Sequence, residues 1–253
     1  MTQLARQKQP ELSEVLKPLS KEELIRIIVQ VAEQDSMFKS GLLVKYSQGD
    51  YTRQLQLSKQ LMNSIVKKYV GRDGFIPYRE TYSFASDMVG VMEEIDETTD
   101  SIYALEVALM VLAEGVEAFQ YADDSNGDIG MLINECFGQI RDLAESLDQQ
   151  EASRRELFFE RVLHMSDSKI FEGWEDFRLE LLRICAEFAE DEKLRERLEA
   201  AIKRRIDAIA GAQFGKYTAE ALLKLLHELI QDYCSADEAD KFEEEHLQYT
   251  FSE

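Results

Sequence analysis

The sequence predicts an all-α fold of antiparallel helix pairs, assembled as an α-solenoid-like repeat of the HEAT or TPR kind or as an elongated helical bundle. Three observations carry this. Apolar residues recur at helical spacing from Ser20 to Tyr249, and no convincing strand interrupts them. Only 3 prolines occur, Pro10, Pro18 and Pro77, so most of the chain lacks the residue that most strongly ends helices. The 12 glycines gather mainly where helices should stop.

The elements follow in order. Residues 1–19 read as a flexible tail. Ser20-Lys21-Glu22-Glu23 is a capping box, in which hydroxyl and carboxylate satisfy the orphan amides of a starting helix. The helix it opens, Lys21 to Asp35, carries an apolar stripe of Leu24, Ile27, Ile28 and Val31. Helices near Met37 to Tyr46 and Tyr51 to Val70 complete an N-terminal subdomain, 20–70. Gly71-Arg72-Asp73-Gly74-Phe75-Ile76-Pro77 is the clearest break, with two glycines and a proline in seven residues.

Beyond it, a helical-repeat core is expected over 78–210. Tyr82, Ala85, Val89, Met92 and Ile95 mark one helix face, and Ser101 to Tyr121 is apolar nearly all round, as a helix buried on several sides should be. A polar loop, Asp123 to Asp128, precedes a helix ending near Leu147, for which Glu151 to Met165 supplies the partner. Trp174, Phe177, Leu181, Ile184, Cys185 and Phe188 trace the next stripe, with Trp174 beginning it as a core residue, the alternative being a surface anchor for a partner; this helix pairs with Lys193 to Ala210. After Gly211 and Gly215, C-terminal helices over 216–253 comprise a stripe of Leu222, Leu225, Leu226, Leu229, Ile230 and Tyr233 and an acidic end from Ala236 to Tyr249. Aligning Glu135–Glu145 on Glu180–Glu190 sets Asp142-Leu143-Ala144-Glu145 over Glu187-Phe188-Ala189-Glu190, an offset of 45 residues. That suits a two-helix repeat of about 40 to 47 residues, and is equally what good helix composition produces.

Composition narrows the function. With 253 residues, 45% hydrophobic and 31% charged, the chain can bury a sizeable core as one elongated domain or two small ones. Its 50 acidic and 29 basic residues leave a net charge of -21, which repels nucleic-acid phosphates and anionic lipid headgroups. The local basic set Lys193, Arg195, Arg197, Lys203, Arg204 and Arg205 falls toward a helix end, where the macrodipole favours it. Cys136, Cys185 and Cys234, odd in number and beside apolar neighbours, read as reduced core residues of a cytoplasmic protein. Met1 to Pro10 has no apolar signal-peptide core, and the run Ile102 to Ala113 falls short of the about 20 residues a bilayer requires.

Candidate chemistry is sparse. Asp124, Asn126, Asp128 and Glu135 hold positions 1, 3, 5 and 12 of a calcium loop, but Ile129 stands where the EF-hand needs glycine. The competing expectation is a turn in which Asp124, Ser125 or Asp128 caps the next helix. Glu243 and His246 form a Glu-x-x-His pair, and Glu160 and His164 are spaced by four; a di-metal bundle site needs two Glu-x-x-His pairs and two more carboxylates. The three histidines, His164, His227 and His246, make no zinc motif, and no nucleophile elbow or phosphate-binding glycine loop occurs. No catalytic residue and no cofactor is assigned.

Leu19-Ser20-Lys21-Glu22-Glu23-Leu24 with Ala32-Glu33-Gln34-Asp35, Gly74-Phe75-Ile76-Pro77-Tyr78-Arg79-Glu80, and Ala122-Asp123-Asp124-Ser125-Asn126-Gly127-Asp128 resemble the helical region that follows the zinc finger in bacterial SWIM-type proteins. The finger's Cys-x-Cys and Cys-x-His are missing here, so zinc and any DNA-binding role are not implied. The resemblance, from Leu19 to Ala210, implies an all-helical interaction region in a bacterial cytoplasmic protein. The expected function is thus a non-enzymatic scaffold for a basic protein partner, without nucleic acid or membrane. The alternatives are an acidic inhibitor, immunity-type or DNA-mimic protein and a metal-binding helical protein.

Overall fold

The described residues form twelve helices, and half of these begin at a residue whose side chain caps them. A computed structural model describes residues 11–47, 49–93, 95, 100–147, 151–209 and 215–246. Half of the expected N-terminal tail, the break at Gly211 and the end of the last expected helix lie outside these. The helices are α1 (Leu12–Leu16), α2 (Lys21–Gln34), α3 (Ser36–Tyr46), α4 (Tyr51–Val70), α5 (Tyr78–Glu93), α6 (Ser101–Ala118), α7 (Asp128–Ser146), α8 (Ala152–Ser166), α9 (Glu175–Ala186), α10 (Glu192–Ile209), α11 (Gly215–Tyr233) and α12 (Ala236–His246). A 3-10 turn, Lys169–Phe171, links α8 to α9. The described residues contain no strand; one parallel bridge pairs Ile76 with Ala122.

The capping box forms as expected. The Glu23 amide donates to Ser20 Oγ at 3.2 Å, and the Ser20 amide donates to Glu23 Oε2 at 2.8 Å. Asp35 ends α2 and caps α3, accepting from the Met37 and Phe38 amides at 3.0 Å. Asp50 does the same for α4 through the Arg53 amide at 2.9 Å. The expected tail is not irregular throughout, since Leu12–Leu16 is helical.

The core is organised around α6. Twelve of its residues are buried, on every side, because α4, α5, α7, α8 and the 3-10 turn all pack against it. Leu105, Val107, Ala108, Val111 and Leu112 have no exposed surface, and at about 1.5–3 kcal/mol for a fully buried large aliphatic chain this helix anchors the fold. Buried polar bonds fix its neighbours: Ser58 on α4 and Tyr103 on α6 meet at 2.8 Å. On the α4–α5 contact, Lys68 and Tyr69 both donate to Asp87, at 2.8 and 2.7 Å.

Packing runs across the Gly71–Pro77 break, for Leu61, Met62 and Ile65 of α4 share one core with α5 and α6. Gly71 and Gly74 supply the positive φ values, 57° and 69°, that the turn needs. The loop is then tied to the residues after α6, the Ile76 amide donating to the Tyr121 carbonyl at 2.8 Å and the Asp123 amide to the Ile76 carbonyl at 2.9 Å.

Three expectations are corrected. The α2 stripe is not covered: Ile27, Ile28 and Val31 are 41%, 44% and 48% exposed, and Ala32 is the residue that α3 buries. On α5 the buried face comprises Thr81, Phe84, Ala85, Met88, Val91 and Met92, while Tyr82 is exposed, because α5 lies between α4, α6 and α7 and presents a rotated face. The expected pairing of α7 with α8 gives way to α7 on α5, α6 and α9, and α8 on α6, α9 and α10. The intervening helix α6 offers both a more apolar surface than they offer each other.

Candidate functional site

The C-termini of α7 and α9 converge on one cleft. Glu145 lies in the last turn of α7, Glu187 caps the end of α9, and Glu190 follows in the turn toward α10. Together with Ala144, Leu147, Arg155 and Phe188 they enclose a cleft of about 440 Å³. The buried rings of Phe158, Phe159 and Phe188 form its support, Phe158 and Phe188 being 5.6 Å apart.

Its electrostatics are one-sided. A helix C-terminus carries about half a negative charge from its unpaired carbonyls, and two such ends meet here beside three carboxylates. Arg155 is the cation among the lining residues, and its guanidinium lies 4.9 Å over the Phe188 ring. Burial, then repulsion from Glu145, holds the Glu187 carboxyl above its ordinary value, with Arg141 opposing. Arg141 is itself engaged by Glu180 at 3.2 Å. The cleft therefore gathers three exposed carboxylates around one lining cation, an arrangement suited to a guanidinium or ammonium group.

A larger opening, about 870 Å³, is lined by residues of α4, α6 and α8. There the charges neutralise each other: Arg154 meets Asp100 at 2.5 Å and Glu151 at 3.5 Å, and Arg161 meets Glu106 at 3.0 Å.

The structure does not bring the calcium-loop residues together. Asp124 accepts from the Ile129 and Gly130 amides at 2.7 and 3.4 Å, and so caps α7. Asp128 is buried against the Thr81 hydroxyl at 2.6 Å, Asn126 donates to the Tyr78 carbonyl at 3.3 Å, and Glu135 is exposed along α7. Among the described residues no group of three or more His, Cys, Asp or Glu side chains is placed to hold a metal.

The other candidates disperse as well. Glu160 pairs with Arg197 at 3.1 Å, and His164 is exposed. Glu243 stands 4.0 Å from His227, and the Phe242 ring stacks on His227 at 6.1 Å and lies tilted to His246 at 4.6 Å. Of the basic set, Arg197, Lys203 and Arg205 bond carboxylates of the same chain, and Arg195 donates to the Ala189 carbonyl at 2.7 Å. Trp174 is not core but 38% exposed, because it precedes α9; its ring stacks on Phe119 at 4.4 Å and Phe177 at 5.5 Å. Cys136 and Cys185 are buried as expected, whereas Cys234, past the end of α11, is exposed.

The acidic cleft had one sequence signal. The 45-residue echo set Glu145 over Glu190, and both residues line it. No protein-family model, no curated protein and no solved structure matches this chain. Among the described residues no helix is long and apolar enough to cross a membrane.

Proposed function

We propose that this chain is a non-enzymatic helical scaffold that binds a basic protein, taking a lysine or arginine side chain of that partner into the cleft between the ends of α7 and α9. The observation that carries this reading is geometric: Glu145, Glu187 and Glu190 line one cleft at two helix C-termini with Arg155 as the cation among its lining residues, and Glu145 repels Glu187. An incoming cation would relieve that repulsion, and the net charge of -21 would speed its approach.

The test is capture of partners on the tagged chain at low and high salt, run in parallel with Glu145→Gln/Glu187→Gln. A basic protein retained by the native chain, released by salt and lost from the variant is the expected result. Retention that ignores both salt and variant would refute the cleft. A captured nuclease or DNA-binding protein whose activity falls stoichiometrically would turn the reading to an acidic inhibitor.

A further inference from the structure

Helix α2 carries an apolar pattern that the described residues leave largely uncovered. At 100° per residue, Ile27, Val31, Leu24, Ile28, Ala32, Ile25 and Val29 sweep roughly 200° of the helix surface, about twice the stripe a surface helix needs for one core. Inside the chain α2 packs against α3, which buries Ala32 and half-buries Leu24. Ile25, Ile27, Ile28, Val29 and Val31 remain 41–50% exposed. Beside them, between α2 and α3, runs a groove of about 670 Å³ whose floor is Val29, Ala32, Leu42 and Leu43.

The charge of this region differs from that of the whole. From residue 21 to residue 46 the basic residues are Lys21, Arg26, Lys39 and Lys45 and the acidic ones Glu22, Glu23, Glu33 and Asp35, four of each, in a chain of net charge -21. A basic partner has no electrostatic reason to choose a neutral surface. A second copy, repelled elsewhere by its acidity, meets no net repulsion here.

The area also suffices. The five exposed aliphatic residues of α2, with Phe38, Leu43 and Tyr46 of α3 at 38–71% exposure, offer roughly 600 Å² a copy, hence about 1,200 Å² for a pair, the lower end of stable interfaces. A two-fold axis sets the same patch against itself, so that the ridge of one α2 enters the groove of the other copy. We propose that α2 and α3 are a homodimer interface.

Sedimentation equilibrium on the full chain tests this. The expected mass is twice 29.2 kDa, and salt should not weaken it, because the surface is neutral and salt screens the repulsion between the two acidic copies. Ile27→Glu/Val31→Glu alters two exposed residues, so its circular dichroism should match the native chain while its dimer dissociation constant rises at least 100-fold. A native chain that stays monomeric at about 100 μM, whatever the variant's folding, overturns the proposal and leaves the groove to a foreign helix. So does a dimer that survives both glutamates. The acidic cleft lies on other helices and is weakened by salt where the dimer is not, so failure of one reading is distinguishable from failure of the other.

Discussion

Gly115 decides how closely α6 and α7 approach, and replacing it sets two effects of opposite sign against each other. Alanine in place of a helix-interior glycine is favoured by about 1 kcal/mol. The added Cβ, however, would stand 3.2 Å from Ile133 Cγ1 and 3.6 Å from Leu132 Cδ2. Carbon contacts are optimal at about 3.5–4.0 Å, so Ile133 must retreat by a few tenths of an ångström. It is fully buried and the contact is made by its inner carbon, not a free chain end. Overpacking of this sort costs about 1–3 kcal/mol, and taking about 2 kcal/mol for it leaves Gly115→Ala less stable by about 1 kcal/mol. Gly138 on α7 is the control, since nothing lies within 4 Å of its built Cβ; Gly138→Ala should gain about 1 kcal/mol. Urea unfolding followed by helical circular dichroism, with unchanged denaturant slopes, reads the difference of about 2 kcal/mol. Equal stabilisation by the two alanines would refute the reasoning, showing that α7 shifts freely on α6.

Trp174→Ala should cost about 2 kcal/mol, less than a core tryptophan, because the stacking on Phe119 and Phe177 is lost from a ring already 38% exposed; thermal or urea unfolding measures it. Glu187→Gln probes pH dependence. With the folded pKa raised, the folded chain holds this proton more tightly than the unfolded one. The associated stability is complete below the unfolded pKa and is lost as pH rises through the folded value. The glutamine variant should therefore have the higher Tm at pH 7, an advantage that shrinks toward about pH 4. Burial pushes the Cys136 thiol up to about 12 and raises Cys185 further, whereas Cys234 is exposed. Alkylation at mild pH should thus label Cys234 alone in the folded protein and all 3 cysteines after unfolding, as intact mass will show.

Features set by neighbours in sequence were legible before the structure. The Ser20–Glu23 box, the all-round burial of α6 and the stripe Leu222, Leu225, Leu226 and Leu229 on α11 follow from short spacings. Features set by a third element were not. Periodicity shows that α2 has an apolar face but not whether the chain covers it. The α5 face depends on the direction from which α7 arrives, and Trp174, in phase with its stripe, falls outside the helix because α9 starts at Glu175. The calcium-like spacing at Asp124 was the cap it also resembled, since a carboxylate aimed at helix amides and one aimed at a metal share a pattern. The cleft needed two helix ends from distant segments, which no local window contains.

The neutral α2–α3 surface and the acidic cleft make different demands, and together they give a reason for both. On the proposed function, an acidic monomer would bind a basic side chain with a strength that salt erodes. Two copies joined through a neutral apolar face keep their association in that same salt and present two clefts at a fixed separation. A partner carrying two basic sites would then engage the second cleft at an effective concentration set by the dimer, gaining affinity without any new contact. The coupling runs one way in mutants. Glu187→Gln should weaken the partner and spare the dimer, whereas Ile27→Glu/Val31→Glu should spare each cleft and yet weaken binding to a bivalent partner, leaving a monovalent basic peptide unaffected. Isothermal titration with the peptide and with the whole partner separates these cases; equal loss for both ligands in the α2 variant would mean that the cleft and the dimer face are one cooperative unit.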